Sequence, residues 1–104
     1  MDINSIIRAR KNEIFAACNR HRVGTLHLFG SAVRENFDPK TSDIDFLVQF
    51  QPMPSFERVD AYYGLQEELS ELLGIPVDLV MAEAIRNPYI AADINRTKQP
   101  LYAA

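Results

Sequence analysis

The sequence predicts an α/β (α+β) domain, a small mixed sheet of about three to four strands with helices packed on one face. Apolar residues recur at helical spacing in several stretches. Short β-rich runs lie between those stretches, and Gly or Pro marks most of the joints. The resulting order is α-β-α-β-α-β-α.

Residues 3–20 carry Ile3, Ile6, Ile7, Ile14, Phe15 and Cys18 among charges, which reads as one helix with Gly24 as its stop. Thr25 to Phe29 is short, rich in β-formers and ends at Gly30, so it reads as a strand. Ser31 caps a short helix from Ala32 to about Glu35. Residues 36–42 are turn chemistry, and Asp43 to Phe50 is the strongest strand of the chain.

Pro52 and Pro54 then interrupt the chain. Ser55 reads as an N-cap for a helix over 56–73, with Phe56, Val59, Tyr63, Leu65, Leu69, Leu72 and Leu73 near the 3.6 period. Gly74 and Pro76 stop it. Val77 to Val80 is a third strand, and residues 82–98 are helical with a break at Asn87-Pro88. A helix this long between strands two and three predicts a parallel, right-handed crossover. The apolar tail from Tyr89 to Tyr102 is expected to divide between core and interface.

The 104 residues fit a single domain over 1–104. With 47% hydrophobic and 24% charged residues the balance is globular. No apolar run is long enough to span a membrane. The N-terminal charges fall inside the apolar pattern, unlike a secretory signal. The lone cysteine, Cys18, leaves no internal disulfide and no cysteine-rich zinc site, so a reducing cytoplasm is the expected location. The net charge of −3 is uneven, with +3 in residues 1–42 and −6 in residues 43–104. Direct nucleic-acid binding is not expected from that balance. The acidic half calls for either plain solubility or a cation site.

The chemistry concentrates in two runs, Leu28-Phe29-Gly30-Ser31-Ala32-Val33-Arg34 and Ser42-Asp43-Ile44-Asp45-Phe46-Leu47-Val48. Alternation along a strand puts Asp43 and Asp45 on one face, ~7 Å apart. Adjacent carboxylates repel unless a cation sits between them, and all-oxygen donors suit Mg²⁺. Gly30-Ser31, at a strand-to-helix joint, offers close backbone approach and free N–H groups to a phosphate. Asp78 interrupts an apolar strand, which is costly for an unpaired acid. If that strand neighbours the first acidic one, three carboxylates converge. Such a set can hold two metals roughly 3.5–4 Å apart for in-line displacement at phosphorus.

Taken singly, these residues have plainer roles. Asp43 could cap a turn, Asp45 could be an exposed strand residue, and Gly-Ser is common at turns. His27 reads as a sheet-face residue, His21 as a helix-end residue that favours the dipole, and Cys18 as a small core residue. Tyr62 and Tyr63 read as helix packing, or one of the two as an interface residue. Glu67, Glu68 and Glu71 read as a solvated helix face, as do Arg8, Arg10, Lys11, Arg20 and Arg22. It is the combination of Gly30-Ser31, Asp43, Asp45 and Asp78 that points to a metal–nucleoside triphosphate site.

Gly30-Ser31, then Asp43-x-Asp45, then Asp78 resembles the nucleotidyltransferase superfamily of DNA polymerase beta, and in it the minimal nucleotidyltransferase (MNT) branch. The resemblance covers about residues 25–80. Eleven residues, 32–42, separate Ser31 from Asp43 where the family has ten, and the extra residue falls in the turn between Phe37 and Thr41. Glu35 follows Arg34 where many relatives have Gly. The resemblance implies a polymerase-beta-like fold. It implies that Asp43 and Asp45 coordinate two Mg²⁺ ions and that Asp78 completes the site of the metal activating the attacking hydroxyl, or acts as base. Gly30 and Ser31 would hold the β- and γ-phosphates of ATP, and Arg34 would reach the triphosphate.

The reaction implied is transfer of AMP from ATP to a hydroxyl. MNT proteins pair with helical HEPN proteins that resemble ribonuclease toxins, and the resemblance implies an antitoxin that adds AMP to a tyrosine of its toxin. A homo- or hetero-oligomer is compatible with this. Two other readings stay open at the level of sequence. One is a binding antitoxin that blocks its partner by contact alone; the other is a small-molecule nucleotidyltransferase like the aminoglycoside-modifying enzymes.

Overall fold

The computed structural model describes residues 3–33, 38 and 40–104, and of Ser31 and Ala32 it describes the backbone alone. The first helical stretch is two helices, α1 (Ile3–Ala9) and α2 (Lys11–Arg20). Between them the Arg10 N–H bonds the Ile7 carbonyl three residues back, tightening the turn. The buried residues Ile3 and Ile7, then Ile14, Ala17 and Cys18, run on across that joint, so periodicity alone does not reveal it.

Gly24 is not the stop of this stretch. The chain reverses at Arg22, which takes the left-handed φ of 56°, and Gly24 lies inside strand β1 (Val23–Phe29) at a register shift. A 3₁₀ turn over Gly30–Val33 follows, starting two residues earlier than the expected helix from Ala32. Strand β2 is Ile44–Phe50, and helix α3 is Ser55–Leu73 with Pro54 rather than Ser55 as its N-cap. Gly74 ends α3 at φ 66°, as expected.

Strand β3 (Val77–Met81) leads through a 3₁₀ turn at Ala82–Ala84 to helix α4 (Pro88–Thr97). The Asn87 side chain accepts from the N–H groups of Tyr89 and Ile90, and Pro88 follows it at the first turn. Strand β4 (Gln99–Ala103) lies in the tail, where no strand was expected. Pro100 argues against a strand, but β4 is an edge and an edge tolerates it.

The sheet order is β3-β2-β1-β4. β1 pairs antiparallel with β2 and with β4, and β2 pairs parallel with β3. That parallel joint is the expected crossover, made by α3. Alternation sorts the strand residues. Ile44, Phe46, Val48, Leu26, Leu28, Val77 and Leu79 are buried in one core with α1, α2 and α3. Asp45, Leu47 and Asp78 alternate with them and belong to the opposite face. On that side a cleft of about 140 Å³ separates Leu47 from Ala91, Ile94 and Lys98 of α4 and its end.

Helix α3 buries Ala61, Leu65, Leu69 and Leu73 at four-residue spacing. Val59 and Tyr63 lie two residues either side of Ala61, about 200° round the helix, so they face away from the core. They are 50% and 65% exposed, and Phe56 is 74% exposed, although their spacing matched the helical period. The side facing β3 closes its open edge. The Tyr62 hydroxyl donates to the Leu79 carbonyl at 2.5 Å, and Gln66 Nε2 donates to the Val77 carbonyl at 3.0 Å.

Candidate active site

Phe29 ends β1 and faces Asp45 across the antiparallel pair; Asp45 in turn sits in register with Asp78 across the parallel pair. One row of the sheet therefore carries Phe29, Asp45 and Asp78 on adjacent strands, which lie about 4.8 Å apart. The long-range pairing that unites Asp45 with Asp78 is supplied by the α3 crossover.

Gly30 begins the turn after Phe29 at φ 71°, a conformation that side chains other than glycine rarely adopt. A Cβ there would overlap Asp45 Oδ2 and lie 3.0 Å from its Cγ. The Asp45 carboxylate thus packs directly on the Gly30 backbone. That brings the expected phosphate-binding turn and the expected metal-binding carboxylate into contact. Helix α4 also touches this turn.

Asp43 is exposed and stands one residue before β2, which starts at Ile44 rather than at Asp43. Asp45 is partly buried, and Asp78 is exposed between buried Val77 and Leu79. Asp78 therefore faces solvent by simple alternation, and the desolvation cost argued from its apolar neighbours does not arise. The Ser31 side chain and all of Arg34 lie outside the described residues.

Asp45 and Asp78 form an all-oxygen donor pair. Among the described residues no group of three or more His, Cys, Asp or Glu could by itself hold a metal. An open set of this kind fits Mg²⁺, which takes one or two carboxylates and fills its octahedron with waters and substrate phosphates.

Several other titratable residues are held within the scaffold. Burial, and then the Lys98 charge, lower the pKa of His27, which lies in β1 opposite Leu47 of β2. His21 caps α2, and its Nε2 lies 3.0 Å from Glu68 Oε1. Glu68 would favour the charged ring, but Arg20 holds the same carboxylate. Burial first, then the Arg20 charge, lower the His21 pKa. Glu68 is thus part of an ion-pair cluster and not of a solvated face, because α2 and α3 pack side by side. This cluster borders a cleft of about 290 Å³ between Arg20, His21, Arg22, Glu57, Asp60 and Ala61. Cys18 is fully buried, with its thiol pushed up to about 12. Tyr62 and Gln66, which hold the edge beside Asp78, carry no motif signal. Their four-residue spacing on α3 is visible only once the helix faces are known.

The nucleotidyltransferase domain family matches residues 11–100. A Methanocaldococcus jannaschii protein provisionally designated a protein adenylyltransferase is 39% identical over 93 residues, which cover 89% of this chain and 88% of that protein. The protein adenylyltransferase MntA of Thermococcus cleftensis is 38% identical over 88 residues, 83% of this chain and 80% of that one. A solved structure provisionally designated a minimal nucleotidyltransferase superposes with a TM-score of 0.77 at 30% identity, covering 97% of each chain. At the level of fold, the chain also matches the complex of a tri-AMPylated Shewanella oneidensis HEPN toxin with its MNT antitoxin. There the TM-score is 0.62 at 20% identity, covering 93% of this chain and 72% of the other. With its family match running through β1, the Gly30 turn, β2 and β3, this chain belongs to the nucleotidyltransferase domain family.

Proposed function

We propose that this protein is an antitoxin that transfers AMP from ATP to a tyrosine hydroxyl of a HEPN toxin in a Mg²⁺-dependent reaction. The observation that carries the proposal is the placement of Asp45, in register with Asp78 and packed on the Gly30 turn. The relatives named as protein adenylyltransferases support the reaction class. The AMPylated HEPN toxin held by a protein of the same fold supports the partner.

Asp43, Asp45 and Asp78 would hold the metal ions, which supply charge neutralisation at the phosphates when bound. The Gly30-Ser31 turn would hold the β- and γ-phosphates through its backbone, with Arg34 reaching the triphosphate. The acceptor oxygen attacks the α-phosphorus in line, forming a new P–O bond as the bond to pyrophosphate breaks. The acceptor's proton passes to Asp78, whose exposed carboxylate lies beside Asp45 on the open sheet face.

Neutralisation of the toxin in cells tests this reading. Wild-type protein is expected to rescue growth of cells expressing the toxin, and a double Asp43→Asn, Asp45→Asn variant is expected not to. Full rescue by the double variant would instead mean that binding alone silences the toxin.

A further inference from the structure

We infer that Tyr62 and Gln66 are positioning residues for Asp78, pinning the edge strand on both sides of it. The inference rests on the proposed site, in which Asp78 serves the metal and the attacking hydroxyl. β3 is an edge strand, so only one side of its backbone is held by the sheet. The Pro76 carbonyl accepts from the Ile44 N–H at 2.9 Å, which turns the even-numbered positions toward β2. Val77 and Leu79, the residues flanking Asp78, therefore present their carbonyls to the open side.

Both of those carbonyls are taken by α3, from Gln66 Nε2 and the Tyr62 hydroxyl respectively. The match is metrical. One step of four residues along a helix advances about 6.0 Å, and two residues along a strand advance about 6.6 Å. Side chains at 62 and 66 thus meet backbone positions 79 and 77 as two consecutive rungs of a substitute ladder. Asp78 is clamped between this ladder and the true ladder to Asp45.

The clamp occupies the open side of an edge strand, and a displacement of about 1 Å at a reacting group can cost about 10²-fold in rate. The clamp carries no charge and leaves Asp78 itself open to solvent and substrate. It therefore acts on where the carboxylate sits and not on its chemistry.

The test uses the full chain, Mn²⁺ as the metal probe with a non-hydrolysable ATP analogue, and electron paramagnetic resonance as the readout. The variants are Tyr62→Phe, Gln66→Leu, the two together, and Asp78→Asn as reference. The double variant is expected to bind Mn²⁺ about tenfold more weakly, in the range seen when partners of metal ligands are removed. Its KM for ATP is expected to stay within about twofold of wild type while its turnover falls. A purely structural role would lower the thermal midpoint and leave Mn²⁺ affinity unchanged. That outcome, with Asp78→Asn losing Mn²⁺ affinity, overturns the inference and spares the site. If Asp78→Asn keeps both Mn²⁺ affinity and transfer, the site assignment fails and takes the inference with it. Tyr62→Phe removes one oxygen and keeps the ring, so it carries the same readout if the double variant does not fold.

Discussion

Gly30 has no room for a side chain, because Asp45 occupies the space a Cβ would take. Its positive φ adds backbone strain for any other residue. Gly30→Ala is expected to slow AMP transfer by about tenfold or more, since strain of 1–3 kcal/mol is typical of such positions. Steady-state kinetics beside a thermal melt separate this local effect from unfolding. His21 gives a prediction in pH. Its folded pKa lies below the ordinary 6.5, so the unfolded chain binds the proton more readily. Its contribution to stability is complete above pH 6.5 and is lost as pH falls through the folded pKa. Denaturant melts between neutral and acidic pH are expected to show this fall, and His21→Gln to flatten it. At this scale the proposed site was largely legible. Gly30, Asp43, Asp45 and Asp78 stand in the motif, while the Gly30–Asp45 contact needed the β1–β2 register.

Helix α3 is the element that joins core to site. Its Ala61, Leu65, Leu69 and Leu73 face fills the core, and its Tyr62 and Gln66 side holds β3. Leu69 is fully buried, so Leu69→Ala is expected to cost about 2–5 kcal/mol in a denaturation curve. Phe56→Ser, on the outward side, is expected to change stability by no more than about 0.5 kcal/mol. The length of α3 was readable from its period and its Gly74-x-Pro76 stop. Its facing was not, because Phe56, Val59 and Tyr63 fit the same period on the opposite side. β4 was hidden for a different reason: Pro100 is a local signal against a strand, and only the place at the sheet edge overrides it. The joint at Arg10 and the reversal at Arg22 were hidden likewise, since neither residue type advertises a break.

Over the whole molecule, the order β3-β2-β1-β4 is what turns separated motifs into one row of the sheet. The parallel β2–β3 pair could be expected from the helix between them, but its register could not. A shift of one residue would put Asp78 on the core face and leave Asp45 alone. The layers divide the labour: α1, α2 and α3 make the core on one face, and the carboxylates occupy the other. Among the described residues no helix is long and apolar enough to cross a membrane. The carboxylate row of β2 and β3 is where the proposed HEPN toxin would present its hydroxyl. Intact-mass spectrometry of that toxin, incubated with this protein and Mg-ATP, tests the proposal most directly. Mass gains on the toxin in AMP steps, lost in an Asp45→Asn variant, are the predicted result. A tight complex with no mass gain, or a gain that persists in Asp45→Asn, would contradict it.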